Sequence, residues 1–270
     1  VSLSATEPMS QRRTESVALS GSVVQLLLRG LLAGLIAGVL AGAVAFVVGE
    51  PHIDAAITLE EAAASVDEHE HAEAEADSGH SHGEDALVSR TGQKAGLFLA
   101  TTLAGLALGA IYAAVLHVVR RHSAASGWTL ALATAGLGWL AIEAVPFVKY
   151  PANPPAVGDP ETIGQRTWLW LAAVALGLVA VAVAVAVRKV LEAQELHTIR
   201  AGVPVLAFVA VVVVGCLVLP TINEVGDDFP ATLLWEFRVS SLAVQATLWA
   251  ALGGAFAFLT ERADRRTPAA

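Results

Sequence analysis

Five of the chain's eight histidines fall between residues 50 and 94, a stretch that also holds twelve of its 25 acidic residues and two of its 16 basic ones. At the centre are two His-x-His pairs, His69 with His71 and His80 with His82, set among Glu68, Glu70, Glu73 and Glu84. Residues i and i+2 of an extended chain project to one side about 7 Å apart, so each pair can close on one ion after a small backbone adjustment. Imidazole suits cobalt, nickel, zinc and copper, while the flanking carboxylates concentrate cations and can complete a coordination shell. Neutral imidazole is the ligand and its unperturbed pKa is about 6.5, so such a trap fills above that pH and empties below it. The plainer alternative is a solvated acidic spacer with incidental histidines.

A second set of candidates lies further along the chain. Glu143 is the one carboxylate set clearly inside an apolar run, where an ionised group needs a partner; Gln245 and Lys149 are the expected ones. Its role is transport or proton coupling, against a helix-end carboxylate that snorkels to the interface. Two Pro-rich connections, 145–162 and 219–231, pair an amide with an acid, Asn153 with Asp159 and Asn223 with Glu224. These are oxygen donors of the kind hard or borderline cations accept. The competing reading is a pair of rigid caps, because closely spaced prolines fix φ and remove backbone donors. No His-Glu-x-x-His, Gly-x-Ser-x-Gly or Walker-type run occurs, so the expectation is not an enzyme and any nucleotide energy comes from another chain.

The elements that must position these groups are membrane helices. At 55% apolar and 15% charged residues, with a mean hydropathy of +0.63, the chain cannot fold as an ordinary water-soluble domain. Six runs are long enough for a hydrocarbon core of about 30 Å: 26–48, 97–119, 128–148, 168–187, 203–219 and 239–259. Backbone groups in lipid must pair within the segment, so the fold class is all-α, a polytopic transmembrane helical bundle. The fifth run is short and carries Pro204, which leaves five spans as the alternative. The first run is too long, and begins too late, for a cleaved signal peptide. Within it Gly30, Gly34, Gly38 and Gly42 recur every four residues and make a small-residue face for close helix packing. Gly105, Gly109, Gly253 and Gly254 are the expected counterparts.

Orientation follows from the basic residues. With the N-terminus inside, eleven of the 16 fall on inner segments, which favours a plasma-membrane protein with both termini cytoplasmic. Residues 1–25 and 260–270 are then inner tails, and 149–167 and 220–238 outer loops. The segment 49–96 becomes an outer loop that is disordered without metal, with Thr58 and Glu61 as a capping box for a short helix. Val48-Gly49-Glu50-Pro51, Val157-Gly158-Asp159-Pro160 and Val225-Gly226-Asp227-Asp228 suggest a faint threefold repeat of hairpins. The single cysteine, Cys216, excludes an intrachain disulfide.

The first helix ending in Glu50-Pro51, the loop from Lys149-Tyr150-Pro151 to Asp159-Pro160-Glu161-Thr162, and the segment from Leu219-Pro220 through Phe229-Pro230-Ala231 to Ser241-Leu242 together resemble the CbtA family of cobalt transporter subunits. The likeness covers about 26–261. It implies an integral membrane component of cobalt import, linked to cobalamin metabolism and associated with a small single-span partner, CbtB. The resulting expectation is a divalent-metal uptake subunit, with cobalt favoured over nickel or zinc, embedded in the bilayer and without nucleic-acid partners. The order would be capture on the histidines, passage through a vestibule of Asn153, Asp159, Asn223 and Glu224, and receipt by Glu143. The alternative is a non-transporting, metal-responsive scaffold or assembly subunit.

Overall fold

Among the described residues, runs of Leu, Val and Ala bounded by Pro, Gly and charge produce six helices long and apolar enough to cross a membrane. The computed structural model describes residues 18–72 and 89–265, with the backbone alone at 64–72. α1 is Val23–Val44, α2 Glu50–Ala72, α3 Arg90–Val119, α4 Gly127–Trp139, α5 Val145–Lys149, α6 Ile163–Val190, α7 His197–Val218 and α8 Ala231–Asp264. α7 includes Pro204 and is still long and apolar enough, so among the described residues the count of such helices is six and not five. Among the described residues no strand forms, and an isolated bridge joins Ala18 to Ser126.

Two π turns join consecutive helices into single rods. Ala45–Gly49 links α1 to α2, and Leu140–Ala144 links α4 to α5. Each is followed by a proline at the second residue of the next helix, Pro51 and Pro146. A proline inside a helix has no N–H to donate and its ring presses on the carbonyl four residues back. A locally widened turn accommodates both effects.

Several expectations change as a result. The first helix does not stop at Val48 but continues through Ala72, so 50–72 is helix and not loop. At 1.5 Å per residue, α2 extends about 35 Å. Thr58 lies within it, its hydroxyl donating to the Asp54 carbonyl at 2.9 Å, and does not cap a new helix. The threefold repeat fails for the same reason, since Val48 to Pro51 are helical whereas the other two copies lie in turns.

The core is built on α1, with α3 and α8 packed along it and α4 against α8. The glycine face of α1 meets α3 backbone to backbone. A methyl group at Gly34 would overlap the Gly105 carbonyl, and one at Gly30 the Gly109 carbonyl. Gly38 faces the Thr101 carbonyl, and a Cβ on Gly42 would lie 2.6 Å from the Thr101 hydroxyl. Gly253 instead packs on Ala135 of α4, and Gly254 faces open space. Tyr112 and Phe256 meet edge to face at 5.5 Å, and the Tyr112 hydroxyl donates to the Ala131 carbonyl. α6 and α7 form a separate pair, held to the core through the second π turn and α5.

Alternation of the six spans gives the bundle two unlike ends. At one, Ser20 donates to Asp264 at 2.6 Å and Arg120 to the Gly21 carbonyl at 2.8 Å, so the described chain starts and finishes together. This basic end carries Arg120, Arg121, Arg188, Lys189, Arg200 and Arg262. The other, loop-rich end carries α2 and both Pro-rich connections.

Candidate functional site

At the loop-rich end a cavity of about 380 Å³ opens between α5, α6, α8 and the two Pro-rich loops. Glu143, Asn153, Asn223 and Glu224 all line it, with Tyr150, Arg166, Arg238, Ser241 and Gln245. Residues up to about a hundred positions apart are therefore neighbours.

The loops interlock through groups that proline leaves available. The Tyr150 hydroxyl donates to the Pro220 carbonyl at 2.7 Å, and Lys149 Nζ to the Thr221 hydroxyl at 3.1 Å. Burial pushes the Tyr150 phenol upward, so it remains a donor. Glu224 binds the opposite loop with both oxygens, accepting from the Thr162 hydroxyl and, at 3.2 Å, from the Asp159 N–H. Arg166 lies 3.3 Å from Glu224 and also donates to the Asp159 carbonyl at 3.2 Å. Gly158, at φ +124°, passes directly under this guanidinium, where a Cβ would collide with it. Arg238 donates to the Ala152 carbonyl at 3.2 Å and to Asn153 Oδ1 at 2.9 Å.

These contacts sort the predicted donors. Glu224 is clamped, Asn153 Oδ1 accepts from Arg238, and Asn223 Oδ1 accepts from the Val225 N–H at 3.4 Å. Asp159 is not in the lining; its carboxylate accepts from the Glu161 N–H at 2.8 Å and caps the turn Pro160–Thr162. The loop residues thus hold the cavity in shape.

Glu143 is different. It sits in the second π turn, which carries the carboxylate to the cavity floor. Its partner is Trp249, whose indole N–H donates to Oε1 at 3.4 Å. Gln245 shares the cavity lining, while Lys149, the other expected partner, turns to Thr221. Gly138 makes the Trp249 contact geometrically feasible, because the indole ring occupies the space its Cβ would fill. On the far side, Gly177 of α6 receives the Ala141 carbonyl with no room for a side chain. Among the described residues, Trp249 is the hydrogen-bond partner of the Glu143 carboxylate, which lines the cavity.

Sequence reasoning missed Trp249, Arg166 and Arg238. The two arginines had served only to orient the chain, although each flanks a Pro-rich loop rich in free carbonyls. Trp249 and Gly138 offered no local signal.

No described histidine is among the residues that line this cavity. His69, His71, Glu68 and Glu70 fall on the last turns of α2, where the backbone is helical. On a helix, residues two apart do not share a face, so the extended-chain geometry expected for His69 and His71 does not hold. His80, His82 and Glu84 lie outside the described residues. Among the described residues no three His, Cys, Asp or Glu side chains gather closely enough to hold a metal. The base of α2 is tied down: Arg90 bonds both Glu50 and Asp54, Lys94 donates to Asp54 at 3.1 Å, and His52 lies 3.8 Å from Glu236.

Six spanning helices and a polar cavity confined to one end define a polytopic α-helical membrane protein. Residues 23–261 match the family described as Probable cobalt transporter subunit (CbtA), and the chain belongs to that family. It is therefore a transporter subunit with a metal ion as substrate. No curated protein and no solved structure matches it.

Proposed function

We propose that this chain is the membrane subunit of a cobalt uptake system, receiving the ion at the loop-rich end and passing it inward by way of Glu143. The carrying observation is the cavity of about 380 Å³ that gathers Glu143, Asn153, Asn223 and Glu224. Within it Glu224 is paired with Arg166 and Arg238 is held by the Ala152 carbonyl and Asn153, so Glu143 is the lining carboxylate that enters no ion pair among the described residues. An ion that keeps part of its water shell can rest there without a full protein cage. Weak coordination suits passage, because the ion must also leave.

In this reading α2 is a stalk that holds His69 and His71 away from the membrane, with His80, His82, Glu68, Glu70 and Glu84 completing the collecting segment. The basic end faces the cytoplasm, in keeping with the positive-inside rule, and the membrane is the plasma membrane. The remaining component is a small single-span subunit of the CbtB type. Cells expressing the chain alone and with such a subunit should differ in accumulated cobalt, the pair exceeding untransformed cells severalfold. A cysteine placed at Ala193 should react only from the cytoplasm. Equal cobalt in all three cell types would refute transport and favour the scaffold reading.

A further inference from the structure

Among the described residues, the α6–α7 pair makes its main contacts with the core at one level. Its contacts run through the second π turn and α5, with Gly177 against Ala141 as the tightest point. Nearer the basic end α6 and α4 separate, leaving a cleft of about 640 Å³ between them. Its walls are apolar, including Leu130, Leu137, Val118 and Val185, and the last three are 40%, 56% and 40% exposed. Its mouth is basic: His122 on the core side, Arg188 and Lys189 at the end of α6, and Arg200 on α7. Glu192 is the one acidic residue in the lining. Among the described residues Arg188 and Lys189 enter no ion pair, and Arg200 contacts His197 at 2.9 Å.

An apolar slot between spans that ends in three cations matches one chemistry, a negatively charged headgroup above a hydrocarbon chain. We propose that this cleft binds one anionic phospholipid from the adjoining leaflet, its phosphate at Arg188, Lys189 and Arg200 and an acyl chain between α4 and α6. The cations at the mouth disfavour the cleft as a route for a divalent metal. A lipid seated there fills the gap that the single-level attachment leaves, and it sets how far the α6–α7 pair stands from the core. The inference is independent of the cobalt reading.

The test uses the full chain purified in detergent, exposed to phosphatidylglycerol or phosphatidylcholine, with retained lipid counted by native mass spectrometry and thermal stability followed in parallel. Wild type should retain one phosphatidylglycerol in preference to phosphatidylcholine and gain stability from it, whereas inorganic phosphate alone should do neither. The triple variant R188Q/K189Q/R200Q should lower phosphatidylglycerol retention roughly tenfold or more. R262Q/R265Q, at the same end but outside the cleft, should retain it. Leu137→Trp, which fills the slot and leaves every charge in place, should also lose the lipid, and it keeps the test decisive if the triple variant fails to fold. Equal retention of both lipids, equal loss in the Arg262/Arg265 control, or retention by both cleft variants would overturn the proposal.

Discussion

At the scale of single residues, the cavity divides its polar groups into those that hold shape and those that stay available. Glu224 belongs to the first kind: it joins two loops through Thr162, the Asp159 N–H and Arg166. Glu224→Ala removes all three contacts and leaves Arg166 with the Asp159 carbonyl but no counter-charge, its Nε already buried without a partner. Because the guanidinium is about a third exposed, solvent recovers part of the loss. The expected destabilisation is about 2 kcal/mol, read as a lower melting temperature in detergent, and Glu224→Gln should recover part of it through the Thr162 and Asp159 bonds. Glu143 is of the second kind, and its substitution should spare stability while impairing flux.

Among the elements, the α1–α3 crossing is the least tolerant of change, because backbone meets backbone and no side chain can yield. Gly34→Leu must push α3 away at Gly105, at a cost of about 3 kcal/mol or more. It should appear as loss of the monodisperse species on size exclusion, while Gly254→Leu, at a position facing open space, should leave that species intact. The spans were legible as apolar runs of adequate length, and the four-residue glycine period on α1 pointed to a packing face. The helical course of α2 was not read, because low hydropathy and dense charge suggest disorder. Yet Ala and Glu are strong helix formers, and α1 spares α2 the cost of nucleation. A usable signal was present: Glu50 and Asp54 are spaced four apart, as are Arg90 and Lys94, and the four side chains meet. Likewise Pro51 and Pro146 inside helical runs marked the two π turns. If the end of α2 and the segment that follows it collect metal through imidazole, the full chain should bind cobalt at pH 7.5 and release it by about pH 5.5, below the reference histidine pKa. Calorimetry on the variant with His69, His71, His80 and His82 changed to alanine checks the assignment; undiminished binding would move it to carboxylates.

The whole molecule is asymmetric along the membrane normal. Interlocked loops, α2 and a polar cavity occupy one end, and unpaired cations with an apolar cleft occupy the other. That asymmetry was foreshadowed by the uneven distribution of arginine and by the two Pro-rich segments. The convergence of those segments on Glu143 was not, since it depends on Trp249, Gly138 and Gly177, which are far apart in sequence or lack local signals. In the proposed route Glu143 is a station on the path and the histidine-bearing segment an accessory that concentrates the ion. Initial-rate uptake of labelled cobalt over a concentration series, with surface expression matched, separates the two roles. Glu143→Gln should lower the maximal rate about tenfold or more at every concentration, because a charge at membrane depth has no substitute. Deletion of residues 67–85 should raise the concentration needed for half-maximal uptake and leave the maximal rate nearly unchanged. A normal maximal rate in Glu143→Gln, together with no uptake at any concentration in the deletion, would contradict the account and make the histidine-bearing segment the route itself.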